Sequence, residues 1–482
     1  MNHAMVRFIL GRLLMLEALM MLPSLVVGLV YREPWSLLQS FLFPMLLLLL
    51  AGVSISLRTP SNRSIFALEG FVVVSLSWFM LSLFGCIPFL LSGTIPRFVD
   101  AFFEASSGFT TTGASVIANV EILPRSILFW RSSTHLVGGM GVLVFALAIM
   151  PRIGSDAVHI LKAEVPGPIF GKIMPRVHNT ARFLYLIYLA FTAVLVLLLL
   201  LGGMPLFDSL VHAFGAAGTG GFSIKNASIA YYDSAYIETV LAVGMLLFGI
   251  NFNLYFLLLF RQAKVALKNE ELRWYFGFIA ASILLISLIV MPQYDSFPRL
   301  LKDVSFTVSS IITTTGFAVT DFNEWPLAAH FILLLLMFCG AMSGSTGGGL
   351  KVSRAAIYIK TTLQEVRRAI SPNRRIPVRF EQKPLSANLQ RSVSYYFMIY
   401  MVFFCLCVLI VSFGSPNFTT SFSSVAATLN NIGPGLDMVG PAATYAAHTD
   451  VSKITLIVAM IAGRLEIIPV LILFSPRTWR KT

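Results

Sequence analysis

Thr110-Thr111-Thr112-Gly113 and Thr313-Thr314-Thr315-Gly316 each close an apolar, serine-rich stretch, and the two tetrapeptides are identical. What such a segment offers chemically is its backbone. Glycine takes up the positive φ that β-branched neighbours resist, so the turn can aim a row of carbonyl oxygens in one direction. Two further segments reach a glycine in the same setting, at Thr219-Gly220 and Ile432-Gly433. Four such loops around one axis would stack rings of oxygens able to replace the hydration shell of an alkali cation. Carbonyl dipoles carry no full charge, so a monovalent ion can bind and still leave. A single Thr-Thr-Thr-Gly reads as a surface turn. Two copies in equivalent places, with two more glycines in register, do not.

The elements that must hold these loops are membrane helices. Hydrophobic residues make up 57% of the chain, charged residues only 12%, and the mean hydropathy is +0.81. A soluble chain of this length needs a charged surface that this one lacks. Apolar stretches of spanning length lie near 13–30, 37–57, 71–91, 126–150, 183–204, 237–260, 274–292, 326–342, 395–414 and 454–474. Roughly 20 helical residues cross the hydrocarbon core. With the N-terminus inside, 26 of the 35 Lys and Arg fall on that same side. This is the positive-inside pattern, so the net charge of +13 reports topology rather than a nucleic-acid surface. Both termini are then cytoplasmic. The first apolar run leads into Tyr31-Arg32-Glu33-Pro34 rather than a small-residue cleavage site, so no cleavable signal peptide is expected. The four cysteines, Cys86, Cys339, Cys405 and Cys407, sit in apolar runs and read as packing residues.

The outer connections near 92–125, 205–236, 293–325 and 415–453 are long and nearly free of positive charge. Each holds an apolar stretch too short to span and then a glycine turn: FVDAFFEASSGFTTTG (Phe98 to Gly113), FDSLVHAFGAAGTG (Phe207 to Gly220), LKDVSFTVSSIITTTG (Leu301 to Gly316) and FTTSFSSVAATLNNIG (Phe418 to Gly433). Non-helical backbone at membrane depth survives only inside protein or beside a water-filled cavity. The repetition governs the expected fold. It is an all-α integral membrane protein of ten transmembrane helices, with four pseudo-repeated units of helix, re-entrant loop and helix around one pore. Residues 1–65 supply two additional N-terminal helices. The units cover 66–155, 180–262, 273–360 and 391–482, with a basic cytoplasmic linker at 361–390.

FFEASSGFTTTGAS (Phe102 to Ser115), GTGGFS (Gly218 to Ser223), TTTGF (Thr313 to Phe317), SGSTGGGLKVSR (Ser343 to Arg354) and GRLEIIP (Gly463 to Pro469) resemble the TrkH/TrkG/KtrB superfamily of bacterial potassium uptake proteins over essentially the whole chain. The two extra N-terminal spans make it more similar to the TrkH branch. The resemblance implies potassium uptake across the cytoplasmic (inner) membrane, a homodimer with one pore per subunit, and a cytosolic nucleotide-binding regulatory subunit of the TrkA type. Potassium is the substrate, and no cofactor is expected. The implied selectivity filter is Thr111, Thr112 and Gly113; Gly218, Thr219 and Gly220; Thr314, Thr315 and Gly316; and Asn431, Ile432 and Gly433. The fourth segment, Asn430-Asn431-Ile432-Gly433, departs most from the pattern.

Ser343, Gly344, Ser345, Thr346, Gly347, Gly348 and Gly349 interrupt the span that begins near 326. Gly340 and Gly344 fit a helix-packing motif. Three consecutive glycines instead argue for a non-helical segment below the filter, each costing roughly 1 kcal/mol of helix propensity. The resemblance makes this an intramembrane loop that obstructs the pore. Arg464 lies within an apolar span, where a charge needs a protein or water partner. It reads as a cationic barrier beside the path or as a buried pair with Glu104 or Glu466; the two are compatible. Glu104, Asp100, Asp208 and Asp303 read either as cation attractors at the outer mouth or as helix-capping and backbone-bonding groups. Arg367, Arg368, Arg374, Arg375 and Arg379 form a solvated, lipid-facing surface or a docking site for a partner ring. Gly344 to Lys351 is not a phosphate-binding loop, because Leu350 separates the glycines from the lysine. No nucleophile, base and orienter cluster is readable, and an enzyme is not expected. The competing mechanism is an ion-coupled carrier that rocks between states, which predicts twofold repetition and mid-membrane acids, of which Glu17 is the clearest here.

Overall fold

The computed structural model describes residues 1–62, 65–141, 177–371, 377–381 and 383–479. Helices α1 (His3–Val30) and α2 (Trp35–Ser56) form an N-terminal hairpin. The order long helix, half-length helix, loop, second helix then recurs. It is met first in α3 (Ala67–Gly85, carried on by Ile87–Leu91), α4 (Phe98–Phe109) and α5 (Arg125–Gly139). Next come α6 (Val177–Leu201), α7 (Leu206–Gly218) and α8 (Ala235–Phe248) with α9 (Phe252–Leu259). The third unit is α10 (Glu270–Val290), α11 (Phe297–Ile312) and α12 (Leu327–Cys339), followed after a loop by α13 (Val352–Ile370). The fourth is α14 (Ala387–Ser412), α15 (Phe418–Leu429) and α16 (Asp450–Arg464) with α17 (Ile468–Phe474).

The helix starts are written locally. Pro34, Pro124, Pro205 and Pro326 precede α2, α5, α7 and α12, where φ near −60° suits the first turn and no N–H is lost. Ser234, Asn269, Ser386, Asn417 and Thr449 cap α8, α10, α14, α15 and α16 through side-chain oxygens.

Among the described residues six helices are long and apolar enough to cross a membrane, and α8 with α9, bent by 90°, makes a seventh if the pair is one span. Uninterrupted helices over 237–260, 326–342 and 454–474 are therefore not found. The second helix of each of those units breaks, at residues 249–251, at Gly340 (φ 69°) and at Glu466-Ile467 (φ 62° and 61°). At Gly340 and at Glu466-Ile467 the positive φ cannot continue a right-handed i→i−4 ladder, whereas at 249–251 the extended ψ of Asn251 (118°) ends it. The stretch expected at 126–150 is helical from Arg125 to Gly139, and beyond Gly141 it lies outside the described residues.

Long apolar rows on the outside, such as Leu284, Leu285 and Leu288 on α10 and Met398, Val402, Leu406 and Leu409 on α14, stay exposed. Such faces suit lipid and would be a liability in water. Inside, one apolar cluster joins α1 and α2 to the first and fourth units, and another joins the second and third. The fully buried Ser, Thr and Asn residues at the ends of the half-length helices lie among them.

The linker expected at 361–390 is partly structured. α13 runs into it, and Arg379-Phe380 (β1) pairs antiparallel with Lys383-Pro384 (β2). Phe380 is buried with Ala356, Ile357 and Val393. Arg367 and Arg368 are exposed, whereas Arg374 and Arg375 lie outside the described residues.

Candidate functional site

Each half-length helix ends in the same backbone turn. Thr111, Thr219, Thr314 and Asn431 adopt left-handed conformations, with φ of 54°, 55°, 58° and 56°. The N–H of the next residue then reaches five residues back: Thr112 to the Ser107 carbonyl, Gly220 to Gly215 and Thr315 to Ser310, each at 2.8 Å, and Ile432 to Ala427 at 2.9 Å. These are Schellman-type helix ends, with threonine or asparagine at the position glycine usually holds. Each carries backbone strain of about 1–2 kcal/mol, as is common where a fold positions a ligand.

This geometry corrects the register of the second segment. The left-handed glycines two residues on are Gly113, Gly221, Gly316 and Gly433. The counterpart of Gly113 is thus Gly221, while Gly220 corresponds to Thr112, Thr315 and Ile432, and Gly218 to Thr110. The adjacent glycines of Gly220-Gly221 hid the offset.

The four turns close on one another. A β-carbon built on Gly113 would collide with the carbonyl oxygen of Gly220, one on Gly221 with that of Thr315, and one on Gly316 with that of Ile432. One on Gly433 would lie 2.7 Å from that of Thr112, completing the circle. Carbonyls of Thr112, Gly220, Thr315 and Ile432 therefore occupy one tier, each beside the glycine of the preceding unit. All four glycines line a single cavity of about 140 Å³, which Ser115, Asn226 and Tyr445 also border. The C-terminal ends of α4, α7, α11 and α15 meet this ring, so their partial negative charges favour a cation there.

Side chains brace the tier from behind. Thr110 Oγ1 lies 2.8 Å from Thr112 Oγ1, and Thr313 Oγ1 lies 2.8 Å from Thr315 Oγ1. The asparagines of the fourth segment do the equivalent work by longer reach. Asn431 Nδ2 donates to Thr112 Oγ1 and to the Met460 carbonyl, both at 2.9 Å, and Tyr400 donates to Asn430 Oδ1 at 2.9 Å. The Tyr445 hydroxyl donates to the Gly433 carbonyl at 2.7 Å. Nothing in the sequence near Tyr445 signalled this.

On the side of the ring away from the cavity lies the glycine-rich loop between α12 and α13. The Gly348 N–H donates to Thr314 Oγ1 at 2.7 Å, and the Thr346 hydroxyl to the Phe248 carbonyl at 3.2 Å. A β-carbon on Gly348 would strike the Asn430 carbonyl, and one on Gly347 would come within 2.9 Å of the Thr313 carbonyl. Only a chain without side chains fits so close. Lys351 is buried and donates from Nζ to the Gly347 carbonyl at 2.5 Å.

Arg464 joins this loop to the first unit. It donates to the Thr346 carbonyl at 2.7 Å and to the Gly138 and Gly139 carbonyls at 2.6 Å each. The two acids expected as its partners are engaged elsewhere. Glu104 pairs with Arg131 at 2.6 Å, and Glu466 with Arg354 at 2.6 Å. Glu104 also accepts from the Val116 N–H at 2.9 Å and Ser115 at 3.0 Å, bracing the chain just past Gly113. Asp100 pairs with the buried Lys453 at 2.6 Å, Asp208 accepts from Tyr232 at 2.7 Å, and Asp303 lies 3.8 Å from Lys302. These four acids are internal brackets. Arg131 and Lys453 escaped notice in the sequence, although charges in apolar stretches are the signal that singled out Arg464.

Among the described residues no group of three or more His, Cys, Asp or Glu could hold a metal ion. The ring's donors are neutral oxygens.

A sequence model of TrkH, described as a cation transport protein, matches residues 38–481. The Trk system potassium uptake protein TrkH of Halomonas elongata is 36% identical over 488 residues, covering 100% of both chains. TrkG of Escherichia coli K12, another Trk system potassium uptake protein, is 34% identical over 98% of this chain and 97% of its own. The crystal structure of the potassium transporter TrkH from Vibrio parahaemolyticus superposes with a TM-score of 0.90 at 34% identity, covering 100% of both chains. With sequence and fold matching from end to end, this chain belongs to the TrkH family of cation transport proteins, a family of transporters rather than enzymes.

Proposed function

We propose that this chain carries potassium ions into the cell through a pore on the axis of the four turns, with their carbonyl oxygens as the selectivity filter. The observation that carries the reading is the closed circle in which Gly113, Gly221, Gly316 and Gly433 each abut a carbonyl of the next unit. Neutral oxygens in such a ring suit a monovalent cation, and the names of the relatives make that cation potassium. Counting each broken helix as one crossing gives ten spans in a cytoplasmic membrane, with both termini inside. The loop at Ser343 to Gly349 obstructs the path, and Arg464 holds it there while placing a positive charge beside it. A homodimer and a cytosolic nucleotide-binding subunit complete the assembly, and that subunit opens the path by drawing on the segment after the loop. Purified protein in a planar bilayer with unequal potassium on the two sides, balanced by sodium, tests this. Unitary currents reversing at the potassium potential are expected. Flux that moves only with an imposed proton or sodium gradient would make the protein a coupled carrier instead.

A further inference from the structure

Two adjacent carboxylates at the start of α10 face different parts of the molecule. Glu270 turns to the β1–β2 hairpin: Oε2 accepts from the Glu381 N–H at 2.9 Å, and Oε1 pairs with Lys360. Glu381, in the hairpin turn, caps α10 in return. Its Oε1 accepts from Asn269 Nδ2 at 2.8 Å and from the N–H groups of Glu270 and Glu271 at 3.0 and 3.2 Å. Glu271 is buried and points the other way. Its Oε1 accepts from the Ser343 N–H at 2.7 Å, where the glycine-rich loop begins, and from the Ser353 N–H at 3.1 Å, in the first turn of α13 just past its end. The hydroxyls of Ser343 and Ser353 meet each other at 2.5 Å.

We propose that Glu271 is a positioning residue that clamps both ends of the loop beneath the ring, and that the 379–384 hairpin sets this clamp by capping the first turn of α10. The proposal rests on the reading of the loop as the obstruction. Hydrogen bonds to a carboxylate are among the strong ones, and a buried carboxylate stripped of them is costly. The loop cannot slide away while Glu271 stays in place, and its glycines give it few side-chain contacts of its own. Glu271 moves with the first turn of α10, the turn whose N–H groups Glu381 holds. Phe380 anchors the same hairpin on α13, the helix that leaves the loop. A pull on the hairpin therefore shifts the clamp and the loop's exit together.

The test uses full-length protein with Cys86, Cys339, Cys405 and Cys407 replaced by alanine and S345C introduced, Ser345 being partly exposed. The labelling rate of that thiol by a charged maleimide in detergent reads loop release, and rubidium uptake into proteoliposomes reads transport. E271A should label about tenfold faster or more, the weight of one charge-assisted hydrogen bond. E271Q should return to within about threefold of the parent, because one amide oxygen can accept both N–H groups. E381A should label severalfold faster. Parent-like labelling in a folded E271A overturns the clamp, and parent-like labelling in E381A overturns the hairpin's part in it. Should E271A fail to fold, E381A decides, and an unchanged rate there overturns the proposal. Faster labelling with unchanged rubidium uptake would leave the clamp standing and refute the loop as the obstruction.

Discussion

The guanidinium of Arg464 donates to the Thr346 carbonyl at 2.7 Å, binding the last residue of α16 to a loop that belongs to another unit. Its other nitrogen ends on Gly138 and Gly139 of the first unit. One side chain thus spans three of the four units just below the ring. Arg464→Ala removes the loop's tie and a positive charge beneath the ring. Rubidium uptake should rise about tenfold, the equivalent of ~1.4 kcal/mol off a barrier. A protein that reaches the membrane and transports no faster would make Arg464 a strut only.

Deleting Gly344 to Gly348 should give faster uptake with potassium-over-sodium discrimination kept. The deletion removes Gly347 and Gly348, which lie against the Thr313 and Asn430 carbonyls, and leaves the ring's own residues alone. Rubidium and sodium uptake measured side by side check both halves. A protein that inserts and transports at the parental rate would remove the loop from consideration as a gate.

Gly113→Ser puts a β-carbon where the Gly220 carbonyl sits, at φ 79°. The strain is about 1–2 kcal/mol before the clash is relieved, and the tier must open. Sodium uptake should rise relative to rubidium by about tenfold. Gly221→Ser should do the same, since it abuts the Thr315 carbonyl. Equal discrimination in mutant and parent would mean that the circle does not select.

Tyr445→Phe keeps the ring and removes the donor to the Gly433 carbonyl. A buried acceptor left without its partner costs about 1–3 kcal/mol. The expected result is a modest loss of thermal stability with a severalfold fall in rubidium-over-sodium preference. A stability loss with discrimination intact would confine Tyr445 to packing.

Much of this molecule is legible in its sequence. Apolar length, the positive-inside bias and Thr-Thr-Thr-Gly are local signals, and they pointed to the half-length helices and the interrupted α12. The break at Glu466-Ile467 had a local signal in Pro469, which disfavours a continuous helix and sits in the first turn of α17 instead; the position of the left-handed pair before it is set by tertiary contacts, among them the Arg354–Glu466 ion pair. Register in the second segment failed for a different reason. With Gly218, Gly220 and Gly221 so close together, several alignments suit the backbone, and only the hydrogen bond from Gly220 to Gly215 selects one. The departure of the fourth segment, Asn430-Asn431, has partners that only tertiary structure supplies: Thr112, Met460 and Tyr400, from distant parts of the chain.

The circle of four carbonyls is drawn from one polypeptide, and its quarters are free to differ. A ring assembled from identical subunits must repeat every insertion four times, and four glycine loops with four arginines could not share the space below one axis. Among the described residues, one glycine-rich loop and Arg464 stand there. A change at Thr346 or Arg464 is therefore made once, with no symmetric copies to dilute or amplify it, while the oxygen tier keeps its near-fourfold form.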